Sequence, residues 1–312
     1  MGSIYLLNGM PSPKLISEAA AESGIDPAFI EKDWYAVQLL KSISEFENDL
    51  DVNVVFSGGT SLSKGFGLIK RFSEDLDFFL CSNELPTSGK RRSFRRLMMA
   101  HVVSNHHFDI NNDSVIRGDG YRFFKAPVHY DMNFNQQFLR PYLQLEMTFF
   151  KNKLPPIKQN IQSIVSELAG GTPETEIACI SPIETAADKL SALSWRVVVR
   201  DRASNQDDPT MIRHLHDLAA LKNTIFEEKE MFLSCALQSL QSDQERRRGG
   251  EIIAGMSISD RLQRALELLS SDNTYRNEYQ EFVQNMSYAD IHEQISFDDA
   301  LLTFEELINI VS

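Results

Sequence analysis

Gly58-Gly59-Thr60-Ser61 and Asp75-Leu76-Asp77 are the residues of this 312-residue sequence whose types and spacing could do chemistry. The glycine pair closes a short apolar run containing Val52, Val54, Val55 and Phe56. With no Cβ there, and with hydroxyls following at a helix start, backbone N–H groups and the Thr60 and Ser61 side chains can approach phosphate oxygens closely. On a strand, residues two apart point to one face, so Leu76 can enter a core while Asp75 and Asp77 converge. Adjacent carboxylates repel unless a cation sits between them, and an oxygen-only donor set selects Mg²⁺ or Mn²⁺. The acids arrive about fifteen residues after the glycines, room for one helix and a return turn. A phosphate cradle joined to a metal clamp implies phosphoryl or nucleotidyl transfer from a nucleoside triphosphate. The pattern is neither a Walker A loop, because Lys64 lacks the spacing and the following hydroxyl, nor the dinucleotide G-x-G-x-x-G.

These motifs need elements to hold them. Ser12-Pro13 and Asp26-Pro27 each set a capping side chain before a proline, so two helices open the chain, with Trp34 on the core face of the second. Residues 51–57 read as a strand, 60–70 as a helix, and 75–80 as a second strand, adjacent and antiparallel to the first. Residues 89–105 read as a helix on which Arg92, Arg95 and Arg96 share a face. Two short segments, 121–124 and 128–130, are strand candidates. Residues 141–150 alternate well, with Tyr142, Gln144, Glu146 and Thr148 on one face and Leu143, Leu145, Met147 and Phe149 on the other.

Residues 151–176, with Pro155-Pro156, Gly170-Gly171 and Pro173, are the expected domain junction. Beyond it Ser181-Pro182-Ile183-Glu184 is a capping box opening a helix to about residue 199, on which Lys189 and Arg196, seven apart, share a face. Helical patterns follow at 210–224, 226–241, 258–270, 274–286 and 297–311. The expected architecture is α+β: an N-terminal α/β domain over 1–155 with a small mixed sheet, then a helical domain over 177–312.

Composition narrows the class. There is no run of ~18 apolar residues to cross a membrane, and residues 1–10 lack the basic start and cleavage site of a signal peptide. Three widely spaced cysteines, Cys81, Cys179 and Cys235, fit reduced buried thiols in a cytoplasmic protein. The net charge of −13 argues against a broad nucleic-acid-binding coat, but Lys90, Arg91, Arg92, Arg95 and Arg96 make a local basic stretch, and Arg246, Arg247 and Arg248 another.

Gly58-Gly59-Thr60-Ser61-Leu62-Ser63-Lys64 with Arg71-Phe72-Ser73-Glu74-Asp75-Leu76-Asp77-Phe78 resembles the signature of the AbiEii/AbiGii-type nucleotidyltransferases. These are DNA polymerase β-like enzymes that include toxins of type IV toxin–antitoxin and phage-abortive systems. Ile30-Glu31-Lys32-Asp33-Trp34 resembles a helix that family carries upstream. Asp188-Lys189-Leu190-Ser191-Ala192 with Arg196 resembles its lysine-bearing helical motif, and Arg213-His214-Leu215-His216-Asp217-Leu218 its final motif. The resemblance implies that Asp75 and Asp77 hold metals. It further implies that Gly58, Gly59, Thr60, Ser61, Lys64, Arg71 and Arg196 bind the nucleotide, that Lys189 pairs with its phosphates, and that Asp217 completes the site. A third carboxylate, as metal ligand or general base, is expected at Glu146. His214 either orients Asp217 or merely packs.

The implied reaction transfers NMP from an NTP to an acceptor hydroxyl, with an RNA 3′ end, plausibly of tRNA, as acceptor and a cognate antitoxin as partner. Two rivals stand beside it. One is NMP transfer to a protein or a small molecule such as an antibiotic, which the acidic chain favours. The other is a non-catalytic partner-binding protein that kept the fold.

Overall fold

The computed structural model describes residues 6–7, 10–137, 139–246 and 248–311. Most of segment 1–10 and Arg247 of the second basic stretch lie outside the described residues. The chain divides into two compact units, one of residues 1–67 and 72–180, the other of 68–71 and 181–312.

The first two helices of the first unit, α1 (Pro13–Ser23) and α2 (Pro27–Ser44), follow a short antiparallel pairing of Leu6–Leu7 with Met10–Pro11. Ser12 and Asp26 cap them by accepting from the N–H groups of Leu15 and Ala28, and Gly24, at φ 72°, ends α1 in the left-handed region. Helix α2 is buried along nearly its whole length, with Ile30, Val37, Leu39 and Leu40 fully inside and Trp34 in the core as expected. Its charged residues Glu31, Lys32 and Asp33 are buried too.

The sheet these helices cover has seven strands: β1 (Asn53–Ser57), β2 (Asp75–Cys81), β3 (Ile116–Gly118), β4 (Phe123–Val128), β5 (Leu143–Phe149), β6 (Ile157–Ile161) and β7 (Thr175–Cys179). Their order is β3-β4-β5-β2-β1-β7-β6. Strands β1 and β2 pair antiparallel, while β2 with β5, and β1 with β7, are parallel, so the sheet is mixed. Leu76, Phe78 and Leu80 of β2 and Leu143, Leu145 and Met147 of β5 point into the core. Helix α3 (Ser88–Ser104) adds Phe94, Met98, Met99 and Val102 to it.

Two expectations need correction. The helix foreseen over 60–70 is shorter and irregular, an α-helical Gly58–Thr60 running into a π-helical Ser61–Gly65. Gly67, at φ 64°, takes the left-handed conformation and donates to Ser63 O, which stops the helix there. The junction foreseen over 151–176 instead carries β6 and most of β7, so the first unit runs to residue 180. Pro155-Pro156 lead into β6, and Gly170-Gly171 follow the short helix Ile164–Leu168 ahead of β7. The parallel pairing of Phe56 with Cys179 joins segments too far apart in sequence for local pattern to reveal.

The second unit is helical: α4 (Pro182–Val198), α5 (Arg213–Ala220), α6 (Lys229–Glu245), α7 (Ile258–Ser271), α8 (Asn273–Met286) and α9 (Phe297–Val311), with shorter turns between. Ser181 caps α4 by accepting from Ile183 N–H. Segment 68–71 joins this unit: Tyr288 donates its N–H to Lys70 O at 3.1 Å, and Arg71 bridges to Ser287. Among the described residues no helix is long and apolar enough to cross a membrane.

Candidate active site

In the sheet unit, Asp75 and Asp77 stand on the face of β2 opposite the core. Register sets Asp77 between Ser57 of β1 and Glu146 of β5, and Glu146 in turn opposite Lys125 of β4. One sheet face therefore carries Asp75, Asp77, Glu146 and Lys125 in adjacent positions. Lys125 Nζ lies 2.7 Å from Glu146 Oε1. Gly58 closes the other side. Its φ of 75° disfavours any L side chain, and a Cβ there would run into the Asp77 carboxylate. The glycine is thus what allows the backbone turn and Asp77 to approach.

Behind this face lies a second layer of charge. Arg140 Nη1 donates to Asp75 Oδ1 at 2.9 Å, and the Arg140 N–H donates to Glu74 Oε1 at 2.7 Å. Lys32 of α2 contacts the same Glu74 oxygen at 2.5 Å and donates to Arg140 O at 2.8 Å. Burial lowers the Lys32 pKa, against the pull of Glu74. Burial also works against the Arg140 charge, but Asp75 and Glu74 outweigh it and raise its pKa.

The neighbours of Lys32 do similar work elsewhere. Glu31 accepts from the N–H groups of Asn133 and Phe134, each at 3.0 Å, and Asp33 holds Lys64 Nζ at 2.5 Å. Three consecutive buried charges on one helix each anchor a different segment around the sheet. Sequence reasoning noted these residues and Glu74 only as part of family motifs and missed Arg140 and Lys125. The available signal was a triplet of charges inside an otherwise apolar helix.

The two hydroxyls expected at a triphosphate differ in their surroundings. Thr60 Oγ1 donates to Asp75 O at 2.6 Å, tying the glycine turn to the base of β2. Ser61 is buried, and its Oγ has no hydrogen-bond partner. Gly59 is buried beside them. Lys64 is held by Asp33 and Gln162 O.

The helical unit gathers a different constellation. Asp217, fully buried on α5, accepts from Arg71 Nε at 2.6 Å and Nη2 at 2.7 Å, while Lys189 Nζ of α4 sits 2.7 Å from its Oδ2. Burial alone would raise the Asp217 pKa, but the Arg71 and Lys189 charges overturn this and hold it well below the usual carboxylate range. Lys189 is shifted down by burial despite Asp217. Arg71 lies over the Phe282 ring, and His216 Nδ1 stands 3.5 Å from Asp217 Oδ1. The structure thus brings together Arg71, Lys189 and Asp217, which the sequence assigned separately to nucleotide and catalysis. Arg196, two turns after Lys189, stacks against Trp195 and reaches Asp208 at 3.4 Å.

The donor chemistry of Asp75 and Asp77, paired hard oxygens on one strand face, fits a divalent cation such as Mg²⁺. Glu146 shares that face, yet among the described residues no three acid, imidazole or thiol groups lie close enough together to hold one ion. The fit is therefore to an ion that takes its remaining ligands from phosphate and water, as Mg²⁺ commonly does.

No curated protein matches the chain. Among solved structures it is similar to MenT4, a nucleotidyltransferase toxin from Mycobacterium tuberculosis, with a TM-score of 0.53 at 19% identity over 96% of this chain and 99% of that one. That likeness shows a shared fold, the mixed sheet followed by helices. The model of the family described as nucleotidyl transferase AbiEii toxin, type IV TA system, matches residues 38–303. The chain belongs to the AbiEii family of nucleotidyltransferase toxins of type IV toxin–antitoxin systems.

Proposed function

We propose that this nucleotidyltransferase transfers NMP from an NTP to the terminal hydroxyl of an RNA, tRNA being the preferred acceptor, with Mg²⁺ or Mn²⁺ held by Asp75 and Asp77. The observation that carries the reading is the juxtaposition of Asp75, Asp77 and Gly58: paired carboxylates on one strand face, met by a turn that only glycine can form. Family membership supplies the NTP and a cognate antitoxin.

In the reaction the acceptor oxygen attacks the α-phosphorus, and the P–O bond to the β-phosphate breaks. Pyrophosphate leaves with the electron pair. Glu146, beside Asp77 and ion-paired to Lys125, takes the hydroxyl proton. The bound cation supplies charge neutralisation at the phosphates and orientation of the acceptor. The Lys32–Glu74 pair fixes the Arg140 backbone, and the Arg140 guanidinium occupies one Asp75 oxygen until the cation arrives.

The acceptor surface we assign is the outer face of α3. Lys90, Arg92 and Arg96 are exposed there, and Arg95, over the Tyr121 ring at 6.0 Å, is close enough to Arg92 and Arg117 for their charges to act on it. Arg91 is not part of it, being buried with its guanidinium on Gly120 O and Pro86 O. Such a patch on a chain of net charge −13 fits a phosphate backbone. The test is incubation with cellular RNA and each α-labelled NTP over a salt series. Labelled RNA that fades steeply with salt supports the reading. Label that appears only on protein or small molecules, at any salt, overturns it.

A further inference from the structure

Gln144 stands on the acidic face of the sheet with its amide donor unmet. Register sets it on β5 opposite Asp75 of β2, and opposite Pro127 of β4 on its other side. It shares its side of the sheet with Glu146, two residues on along the same strand. Asp75 has Arg140 at 2.9 Å, and Glu146 has Lys125 at 2.7 Å. Pro127 brings no polar side-chain atom. Gln144 is only 4% exposed, and its Nε2 has no hydrogen-bond partner.

A buried donor left unmet is costly, and an apolar side chain of similar shape would avoid that cost. The position of Gln144 says what would meet it. Its neighbours are the carboxylate that takes the cation and the carboxylate that takes the acceptor proton. Glutamine and glutamate side chains are equally long. From positions two apart on one strand, about 7 Å at the backbone, they can reach adjacent atoms of one group. An acceptor whose attacking oxygen lies at Glu146 therefore sets its neighbouring hydroxyl at Gln144. We propose that Gln144 selects the acceptor sugar: its amide holds the 2′-hydroxyl of the terminal ribose while Glu146 receives the proton of the 3′-hydroxyl. The assignment rests on the transfer reading for the identity of the acceptor.

An amide suits this ligand, since it can donate to the hydroxyl oxygen through Nε2 and accept the hydroxyl proton through Oε1. The 2′-hydroxyl is also the group by which a protein tells RNA from DNA. The basic face of α3 attracts any phosphate backbone and so does not make that choice. So deeply placed an amide meets a ligand only as the face opens. The Arg140 guanidinium, beside it on Asp75, is the group that yields when the cation takes that oxygen. Acceptor selection at Gln144 is thereby tied to metal binding.

The test uses the full chain with Mg²⁺, an α-labelled NTP and two tRNA pools identical except at the 3′-terminal sugar, ribose in one and 2′-deoxyribose in the other. The wild type should label the ribose pool roughly tenfold faster or more. Gln144→Met, close in shape and without the amide, should label the two at nearly equal rates, the loss falling on the ribose pool. Melting curves establish that the variant is folded, and the wild-type ratio tests the assignment even if it is not. Equal labelling of the two pools by the wild type, or an undiminished preference in folded Gln144→Met, overturns the role of Gln144 and leaves the transfer reading. A variant that loses its choice between NTP and 2′-deoxy-NTP but keeps it at the acceptor places the amide at the donor nucleotide and overturns the role as well. No label on either pool overturns the transfer to tRNA itself, and the assignment with it.

Discussion

Arg140 donates to Asp75 through Nη1 at 2.9 Å, so a carboxylate needed for a metal ion already carries a cation beside it. The guanidinium and an incoming divalent ion compete for the same oxygen. Arg140→Ala should therefore bind Mn²⁺ more tightly. The Arg140 side chain is 37% exposed, so water screens the pair and the gain is about 1 kcal/mol, roughly fivefold. Electron paramagnetic resonance of free Mn²⁺ measures it. Weaker binding in the variant would show that Arg140 builds the metal site rather than opposing it.

Lys32 and Glu74 form the buried brace beneath Asp75, their side chains 7% and 12% exposed. Removing one partner strands a charge away from water. Lys32→Met should lower the unfolding free energy by about 3–5 kcal/mol, and Lys32→Met with Glu74→Gln should restore part of it. Denaturant unfolding checks both. A double variant no more stable than the single one would mean that the pair itself contributes little.

Gly58 and Gly24 share a left-handed backbone, φ 75° and 72°, but only Gly58 faces a side chain, the Asp77 carboxylate; nothing lies near Gly24. Alanine at Gly24 should cost roughly 1–2 kcal/mol, the strain of the conformation alone. Alanine at Gly58 adds the displacement of Asp77 to the same strain, so it should destabilise more and abolish transfer. Equal activity in the two variants would contradict the role given to the Gly58 approach.

His214 has a lower pKa in the folded chain than in the unfolded one. The unfolded chain therefore binds more protons below about pH 6.5, and stability falls as the pH drops through that value. Asp217, depressed below the carboxylate range, contributes stability that is present above about pH 4 and lost only at lower pH. Melting temperatures between pH 7 and 5 should thus decline in the wild type and flatten in His214→Gln. An unaltered slope would place the titration elsewhere.

Much of the sheet and of its acidic face was legible in the sequence because both rest on local periodicity. The i, i+2 spacing of Asp75 and Asp77, and the alternation that puts Glu146 opposite the core, follow from strand geometry alone. The partners of those acids were not legible. Lys125 reaches Glu146 from another strand and Arg140 reaches Asp75 from a loop, and long-range pairing leaves no local trace. The same reason hid β6 and β7, whose flanking prolines and glycines resemble a linker. Thr60 was expected at phosphate by residue type and Lys64 by the family resemblance; the sequence did not reveal that Thr60 also ties β2 to the glycine turn or that Lys64 meets a buried aspartate. Lys189 and Asp217 were expected as site residues from the family resemblance, but their direct ion pair, shared with Arg71, required the structure.

The central claim, NMP transfer at the Asp75–Asp77 face, is tested most directly by Asp77→Ala in a labelling assay. Purified protein, Mg²⁺, α-labelled NTP and total cellular RNA should give a discrete labelled RNA band with the wild type. The variant, shown to be folded by its melting curve, should give none. Labelling of RNA that survives Asp77→Ala would contradict the account.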